Sequence, residues 1–349
     1  MKIAQVPGDE IPFSPQLPFS PYSVVTISYF LAEQLTKKGH EVTAFVPSDS
    51  KTSARVPQNL LPSTDPRFKK YTFKKRYGLF KQYCREIISR SNEFDIIHVH
   101  DIYLGTFKLL KSVKTPVIGT FHNPHFYKKD KKHFSKTRFV AISQSQIDNN
   151  PGYNFIGMVH NGILVKNFLF NNKPKDYLFW IGRISPEKGP LEAIKIANRT
   201  KRKLIMAGPI PPFHKKYVKR FLSEVKKSRY VKYIGAISSF KKKINYFKNA
   251  YALIFPIKWE EPFGLVMVEA MACGTPVLAF NRGSIPEIIK EGKTGFIVEN
   301  IYQMAKAIEK IPEISRKECR KWVEKKFTVQ KMAEGYEKIY RSILKNEKR

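Results

Sequence analysis

The first half of the chain alternates short apolar runs with longer segments whose apolar residues recur at helical spacing. Residues 24–37 form the clearest helical pattern, which stops at Gly39. Strands separated by helical stretches are typical of parallel β-α-β units and predict a doubly wound α/β sheet. The runs that predict strands in this half are residues 2–6, 41–46, 94–99, 117–121 and 139–142.

The second half repeats this rhythm, and 349 residues are enough for two domains of ordinary size. Turn-rich polar segments at 149–153 and 171–175 separate the halves, so we expect one domain over 1–160 and a second over 161–327. Apolar residues at helical spacing predict a last helix within about 328–349. The strands and helices predicted in the second half are 177–181, 190–198, 203–207, 231–234, 241–248, 252–255, 276–280 and 301–311.

The charge of the chain is unusual, with 63 Lys and Arg against 29 acidic residues and a net charge of +34. An anionic membrane or nucleic acid could exploit such a charge, and a lysine-rich solvated surface is the alternative interpretation. The three scattered cysteines favour a reducing cytoplasm over a disulfide framework or a zinc site. The chain contains no run of eighteen apolar residues, so no transmembrane helix is predicted.

Two glutamates eight positions apart mark the most informative segment, residues 261–280. Glu261 comes where a helix is predicted to begin. Glu269 shares an apolar helix face with Leu265 and Ala272. A carboxylate on such a face needs a partner, because its unpaired burial is costly. Gly274 ends the predicted helix before an apolar strand.

Two cations occur on one strand-loop-helix turn, in the sequence Gly182-Arg183-Ile-Ser-Pro-Glu-Lys188-Gly189. Pro190 is well placed to open the following helix. Together with Ala207-Gly208-Pro209, Ile234-Gly235 and the spaced glutamates, this turn closely resembles the retaining glycosyltransferases of family 4, across the whole C-terminal half. The resemblance implies a GT-B fold, in which two Rossmann-like doubly wound domains face an interdomain cleft. It also implies that the last helix packs back on the first domain.

The same resemblance implies transfer of a sugar from a nucleotide-diphosphate sugar to a hydroxyl, with retention of configuration. Arg183 and Lys188 would bind the diphosphate without a metal, since the chain has no Asp-x-Asp pair. Glu269 would accept hydrogen bonds from the ribose, with an ion pair to a lysine as the alternative, and Glu261 would lie close to the sugar. No metal and no cofactor other than the donor is expected. The donor-binding residues implied are Gly182, Arg183, Lys188, Gly208, Glu261, Phe263, Gly264, Leu265 and Glu269.

In the N-terminal half, Thr120-Phe-His122 follows a predicted strand and resembles the family's Thr-x-His position beside the reacting carbon. The resemblance adds His122 to Glu261, Arg183 and Lys188 as the expected catalytic residues, and a purely structural histidine is the alternative. His98 and His100 alternate on one strand and look like a metal pair. No third ligand is evident, so a metal is not expected.

Two departures from the family pattern concern the acceptor side. The usual Gly-Gly pair after the first strand is replaced by Tyr22-Ser23, and the following Glu by Val25. Leu164 stands where the family often has Asp. Glycine would let the backbone approach a ligand closely, so the loss of the pair bears on which acceptor is used.

Basic and aromatic residues concentrate in segments 67–81 and 126–134, which suggests attachment of a cytoplasmic protein to the anionic inner membrane leaflet. A plain solvated surface is an equal alternative, and nucleic acid is disfavoured. The acceptor is expected to be a glycan or a lipid-linked sugar. Three other functions stay open: a nucleotide-sugar epimerase of the same fold, a basic nucleic-acid- or membrane-binding protein without transferase activity, and a donor-binding protein without turnover.

Overall fold

The structure, a computed structural model, describes residues 1–7, 11–15, 23–65, 83–100, 105–124, 134 and 136–347. It divides into two compact units, and each has its own six-stranded sheet and core. The first unit combines Met1–Gly162 with Val329–Arg349, and the second is Ile163–Thr328. None of the described helices is long and apolar enough to span a membrane.

The first unit is built on a parallel sheet in the order β2-β1-β3-β4-β5-β6. Its central strands are buried on both faces, as parallel strands covered by helices must be. Its elements, in chain order, are β1 (Lys2–Val6), α1 (Ser23–Lys37), β2 (Glu41–Ala44), α2 (residues 83–89), β3 (Ile96–Val99), α3 (Gly105–Leu109), β4 (Val117–Thr120), β5 (Arg138–Ala141), α4 (Gln144–Asp148) and β6 (Phe155–Met158).

The second unit is built on a parallel sheet in the order β12-β11-β10-β7-β8-β9. Its core packs Trp180, Phe221 and Met304 around the fully buried central strands. Its elements are β7 (Leu178–Ile181), α5 (Pro190–Thr200), β8 (Leu204–Ala207), α6 (Lys215–Lys227), β9 (Val231–Tyr233), α7 (Phe240–Asn249), β10 (Ala252–Phe255), α8 (Leu265–Ala272), β11 (Val277–Phe280), α9 (Ile285–Ile288), β12 (Gly295–Val298), α10 (Ile301–Glu309) and α11 (Arg316–Lys326).

The chain returns to the first unit through the last helix, α12 (Val329–Glu347). Its buried residues Met332, Tyr336, Tyr340 and Ile343 recur every three or four positions, so they form one face. That face packs on the first unit, and the helix contacts α1. The helical spacing in the sequence therefore marked the side of α12 that is buried.

In both sheets the strand order reverses at an inner pair of strands. In the second unit the break lies between β7 and β10, and in the first between β1 and β3. In doubly wound sheets, ligands bind outside the carboxyl ends of the strands at such a switch point. The loops that follow these strands are therefore the places to examine for chemistry.

Most strands lie where the apolar runs predicted them, but two edge strands, β6 and β12, were not predicted. Each has only four residues and contains a glycine, Gly157 or Gly295, which weakens the strand pattern. Gly295 is required there because a Cβ would lie 1.8 Å from the carbonyl oxygen of Val277. The helices α6 and α11 were also not predicted, since their charge density hides their short apolar stripes.

Candidate functional site

The loops after β7 and β8 contact each other through backbone atoms. Gly208 has a φ of +147°, and a Cβ there would lie 1.7 Å from the carbonyl oxygen of Gly182. The Gly208 N–H donates to the Gly235 carbonyl at 2.9 Å, and the Gly182 N–H donates to the Ala207 carbonyl at 3.0 Å. Only glycine allows this approach, so the carboxyl ends of β7 and β8 are held directly against each other.

Arg183 and Lys188 lie on the loop between β7 and α5. Pro186–Lys188 form one 3-10 turn, and Gly189 ends it with a φ of +65°. A Cβ on Gly189 would lie 1.9 Å from the carbonyl oxygen of Pro256, so the loop rests on the segment that follows β10. The two cations are therefore held at the switch point of this sheet.

Lys188 forms a half-buried ion pair with Glu261. Its Nζ donates to Oε2 at 2.9 Å, and the Trp259 indole N–H donates to the same oxygen at 2.9 Å. The Lys188 ammonium also lies 4.3 Å from the centroid of the Trp259 ring, within the range of a cation–π contact. Glu261 is only 7% exposed, so both donors offset the cost of burying its charge.

Arg183 is held by a neighbouring carboxylate but keeps an exposed guanidinium. Its Nη2 donates to Glu187 Oε1 at 2.8 Å, and the Ser185 hydroxyl donates to the same oxygen at 2.6 Å. Burial alone would raise the pKa of Glu187, but the hydrogen bonds from Ser185 and Arg183 outweigh burial and lower it. The Arg183 side chain is 46% exposed, which leaves guanidinium donors available for an anion.

The segment between β10 and α8 is braced by the loop after β11. A Cβ on Gly283 would lie 2.3 Å from the carbonyl oxygen of Glu261, and the Gly283 N–H donates to Glu260 Oε2 at 2.6 Å. Gly264 then adopts a φ of +81° and starts α8 at Leu265. The first amides of a helix have no acceptor within the helix, so this end suits a negatively charged or hydroxyl ligand.

Phe263 anchors this segment in the core of the second unit. Its ring is 2% exposed and lies edge-on to Phe327, with the ring centroids 5.9 Å apart. Its side chain is therefore structural, and only its backbone could contact a ligand at the helix start.

Glu269 lies on α8 and is only 8% exposed, and it pairs with Lys243 of α7. The Lys243 Nζ donates to Oε1 at 2.7 Å and lies 2.6 Å from Oε2, without hydrogen-bond geometry to that second oxygen. The ion pair that the sequence left as an alternative is therefore present. Oε2 is buried and lies within the ion pair, so Lys243 holds both oxygens of this carboxylate in the structure.

In the first unit, His98 links β3 to the last helix and to β4. Its Nδ1 lies 2.6 Å from the Tyr340 hydroxyl, and its Nε2 lies 2.8 Å from the Thr120 hydroxyl. Thr120 in turn lies 2.9 Å from the Tyr336 hydroxyl. Since all of these groups are buried, the last helix is joined to the carboxyl end of this sheet by polar contacts as well as by packing.

His100 lies beside His98 and connects β1 to His122. The His98 and His100 ring centroids are 3.9 Å apart, as expected for alternate residues of one strand face. His100 Nε2 lies 2.8 Å from Gln5 Oε1, and His100 Nδ1 lies 3.4 Å from His122 Nε2. The three histidines and Gln5 thus form a continuous polar cluster at the switch point of the first sheet.

The three histidines of this cluster are neutral at physiological pH. Burial lowers the pKa of His98 and of His100 well below the usual value, and the neighbouring histidines lower both further. Burial also lowers the pKa of His122, to about 4. Among the described residues, no group of three or more His, Cys, Asp or Glu side chains could hold a metal ion.

Sequence reasoning missed several partners of the expected site residues. Trp259 and Glu187 lie close in sequence to the expected site residues. The signal that could have identified them was their chemistry, since an indole N–H can donate a hydrogen bond and a carboxylate can pair with a nearby cation. Lys243 carried no signal, because it is one of three consecutive lysines in α7. Segments 67–81 and 126–134 lie outside the described residues, apart from Phe134, as does Tyr22.

Comparisons with known proteins identify the family. Residues 164–328 match the family model described as glycosyl transferases group 1, and residues 24–164 match the model described as glycosyltransferase family 4. The chain is also 29% identical over 296 residues to an uncharacterized 41.2 kDa protein in the cps region of Klebsiella pneumoniae. That alignment covers 72% of this chain and 80% of the relative.

Solved structures share the whole architecture. AviGT4, a glycosyltransferase involved in avilamycin A biosynthesis, superposes with a TM-score of 0.72 at 19% identity, covering 98% of each chain. Anabaena Alr3699/HepE in complex with UDP-glucose superposes with a TM-score of 0.66 at 15% identity, covering 98% of this chain and 99% of that one. These likenesses confirm the predicted GT-B fold. With both family models matched in sequence from residue 24 to residue 328, the chain belongs to the group 1 glycosyltransferases of family 4.

Proposed function

We propose that this protein transfers a sugar from a nucleotide-diphosphate sugar to a hydroxyl of a glycan or lipid-linked sugar, with retention of configuration. The observation that carries the proposal is the Lys188–Glu261 contact at 2.9 Å. It joins the cationic loop after β7 to the start of α8, two motifs that lie 73 positions apart in the chain. The switch point of the sheet, where nucleotides bind in doubly wound folds, is the place where they meet.

Charge neutralisation is the main task of this site. When the bond between sugar and diphosphate breaks, negative charge develops on the departing phosphate oxygen. Arg183 supplies a forked set of donors and Lys188 a compact positive charge, and the amides of Gly264 and Leu265 add dipoles that need no reorganisation. Each cation already lies beside a carboxylate, so the charge of an incoming diphosphate would be shared with Glu187 and Glu261.

The remaining contacts orient the donor. As the family resemblance implies, Glu269 would accept a hydrogen bond from a ribose hydroxyl once the Lys243 ion pair shifts to open its buried carboxylate, and Glu261 would lie close to the sugar. Gly182 and Gly208 let the backbone approach the ligand without side-chain interference. His122 would lie beside the reacting carbon, with the departing phosphate oxygen taking the proton of the acceptor, as the family resemblance implies.

The donor class is supported by a structural relative, since Alr3699/HepE has been solved with UDP-glucose. The comparisons do not favour an epimerase or a basic binding protein without transferase activity. The absence of any Asp-x-Asp sequence supports a transfer that needs no metal, because the two cations can take that role. Attachment to a membrane stays a prediction.

The decisive experiment is calorimetric binding of UDP, GDP and ADP in the presence of EDTA. We expect one nucleotide to bind wild type and the Arg183→Ala variant to bind it at least about tenfold more weakly, as for a lost charged hydrogen bond. Arg202→Ala is the matched control, because Arg202 also pairs with an acidic neighbour but lies at the amino end of β8.

Two outcomes would refute the donor site. Either no nucleotide binds, in EDTA or with Mg²⁺, while each of the proteins is folded, or Arg183→Ala and Arg202→Ala bind as tightly as wild type. Binding that appears only after Mg²⁺ is added would overturn the metal-independent part alone.

A further inference from the structure

The hydrogen bonds of the polar cluster in the first unit run in one donor-to-acceptor direction, which the side-chain amide of Gln5 sets. The amide of Gln5 donates through Nε2 to the Tyr340 hydroxyl at 3.2 Å, and its Oε1 faces His100 Nε2 at 2.8 Å. A carbonyl oxygen can only accept, so the proton in the second contact belongs to His100 Nε2.

The next contact follows from the first. A neutral imidazole carries one proton, so with Nε2 protonated, Nδ1 of His100 is an acceptor. That Nδ1 faces His122 Nε2 at 3.4 Å. His122 Nε2 must then hold the proton that lies between the two rings, because two unprotonated nitrogens would repel each other. Nδ1 of His122 is left without a proton.

The other branch of the cluster agrees with this direction. Tyr340 accepts from Gln5 and has one proton of its own, which it donates to His98 Nδ1 at 2.6 Å. His98 then carries its proton on Nε2 and donates it to the Thr120 hydroxyl at 2.8 Å. Thr120 donates in turn to Tyr336 at 2.9 Å. Each of these buried groups is satisfied without any charge.

We propose that Gln5 and His100 are positioning residues that hold His122 in its Nε2–H tautomer and keep Nδ1 as the ring's proton acceptor. The tautomer follows from contacts within the first unit alone. The consequence for transfer rests on the proposed function, because it assumes that His122 contacts the substrate and that its unprotonated nitrogen accepts a hydrogen bond from a hydroxyl there.

The opposite direction is the alternative that can be tested. If Gln5 turned its amide over, every donor and acceptor in the chain would exchange roles, and His122 would carry its proton on Nδ1 instead. Long-range ¹H–¹⁵N correlation spectra distinguish the two tautomers directly. The ring signals of His122 can be identified among the eight histidines by their loss in the His122→Gln variant.

We expect the spectrum of wild type at pH 7.5 to show His122 with Nε2 protonated and Nδ1 unprotonated. The Gln5→Met variant keeps the length of the side chain and loses both contacts, so we expect His122 to average between tautomers. Tyr340→Phe removes only the hydroxyl that orients Gln5, and we expect a smaller change in the same direction. Thr43→Val is the matched control, since it deletes a buried hydroxyl from the neighbouring strand β2.

The results divide clearly. An Nδ1–H tautomer of His122 in wild type, or an unchanged tautomer in both Gln5→Met and Tyr340→Phe, would overturn the proposal. With the nucleotide identified by calorimetry and its sugar donors used as substrates, we expect Gln5→Met to lower kcat by about twofold with little change in KM, since the productive tautomer is no longer fully populated. A changed tautomer with unchanged kcat would leave the positioning intact and refute the role of His122 in transfer.

Discussion

The carboxyl ends of the two sheets differ in electrical character. In the second unit this edge carries charges that are only partly buried, with Lys188 beside Glu261 and Arg183 beside Glu187. In the first unit the same edge carries neutral histidines and tyrosines, linked by hydrogen bonds and largely buried. The same type of sheet thus serves two kinds of chemistry, and the difference is made by the residues that follow the strands.

The comparison teaches what each edge can bind. Partly exposed cations whose partners are carboxylates can transfer their pairing to an incoming anion at a modest cost in desolvation. Neutral buried groups cannot stabilise a diphosphate, but they can fix the position and tautomer of an imidazole. We therefore propose anion binding for the second unit and the control of His122 for the first.

Among the tests of this difference between the two units, loss of Lys188 is expected to have the largest effect. Lys188→Met removes a cation that faces the donor in the proposed function. It also leaves the buried Glu261 with the Trp259 indole as its remaining hydrogen-bond donor among the contacts described above. We expect kcat/KM to fall by about 10²–10³, as for a lost group that stabilises developing charge. Initial rates of nucleotide release measure this effect.

The control for Lys188 is Lys258→Met, since Lys258 pairs with Glu192 at 3.1 Å but is 52% exposed. We expect this variant to keep nearly all activity, because exposed ion pairs contribute little. Equal losses in the two variants would show that general positive charge, rather than the Lys188–Glu261 pair, supports the reaction.

Gly208→Ala is expected to have the next largest effect, on stability. A Cβ at this position meets the backbone of Gly182, so the loops after β7 and β8 must separate. We expect the free energy of unfolding in urea to fall by about 3 kcal/mol, at the upper end of ordinary single substitutions. Nucleotide affinity should fall with it, since both loops border the proposed donor site.

The Gly235→Ala variant measures the cost of backbone strain without a close approach of another loop. Gly235 also has a positive φ, of +73°, but nothing lies within 4 Å of its Cβ position. We expect it to cost about 1–2 kcal/mol, the penalty of a left-handed residue alone. If both glycines cost the same, the contact between the two loops does not matter to the fold.

Per histidine, the pH dependence of stability is expected to be the smallest of these effects, and it belongs to the first unit. His98, His100 and His122 have pKa values below those of the unfolded chain, and so does His40, where burial is the main cause. The unfolded state therefore binds more protons as the pH falls below about 6.5, and stability must decrease. We expect a loss of about 1.4 kcal/mol per pH unit for each histidine that stays neutral in the fold.

Urea unfolding at intervals between pH 7 and pH 5 measures this slope. Carboxylates contribute mainly at lower pH, as for Glu337, whose pKa is lowered to about 2 mainly by its hydrogen bond with Arg341. The His40→Asn variant should keep most of the slope, because His40 lies outside the cluster of His98, His100 and His122. A stability that does not change over this range would contradict the neutral cluster.

Local sequence patterns determined much of the secondary structure of this protein. Apolar runs marked most strands, and helical spacing identified the buried face of α12, because both patterns depend only on residues near one another in the chain. The family and the GT-B fold, inferred from short motifs around Arg183 and Glu261, are confirmed. The roles of those residues in binding a donor stay predictions.

Only the tertiary structure decided which side chains meet. Lys188 and Glu261 lie 73 positions apart, and His98 and Tyr340 lie 242 positions apart. No periodicity reports such pairs, because a buried charge or hydroxyl needs a partner of suitable chemistry but does not specify where in the chain that partner lies. The folding of parallel strands brings their carboxyl ends to one edge, and there the distant partners come within hydrogen-bond distance.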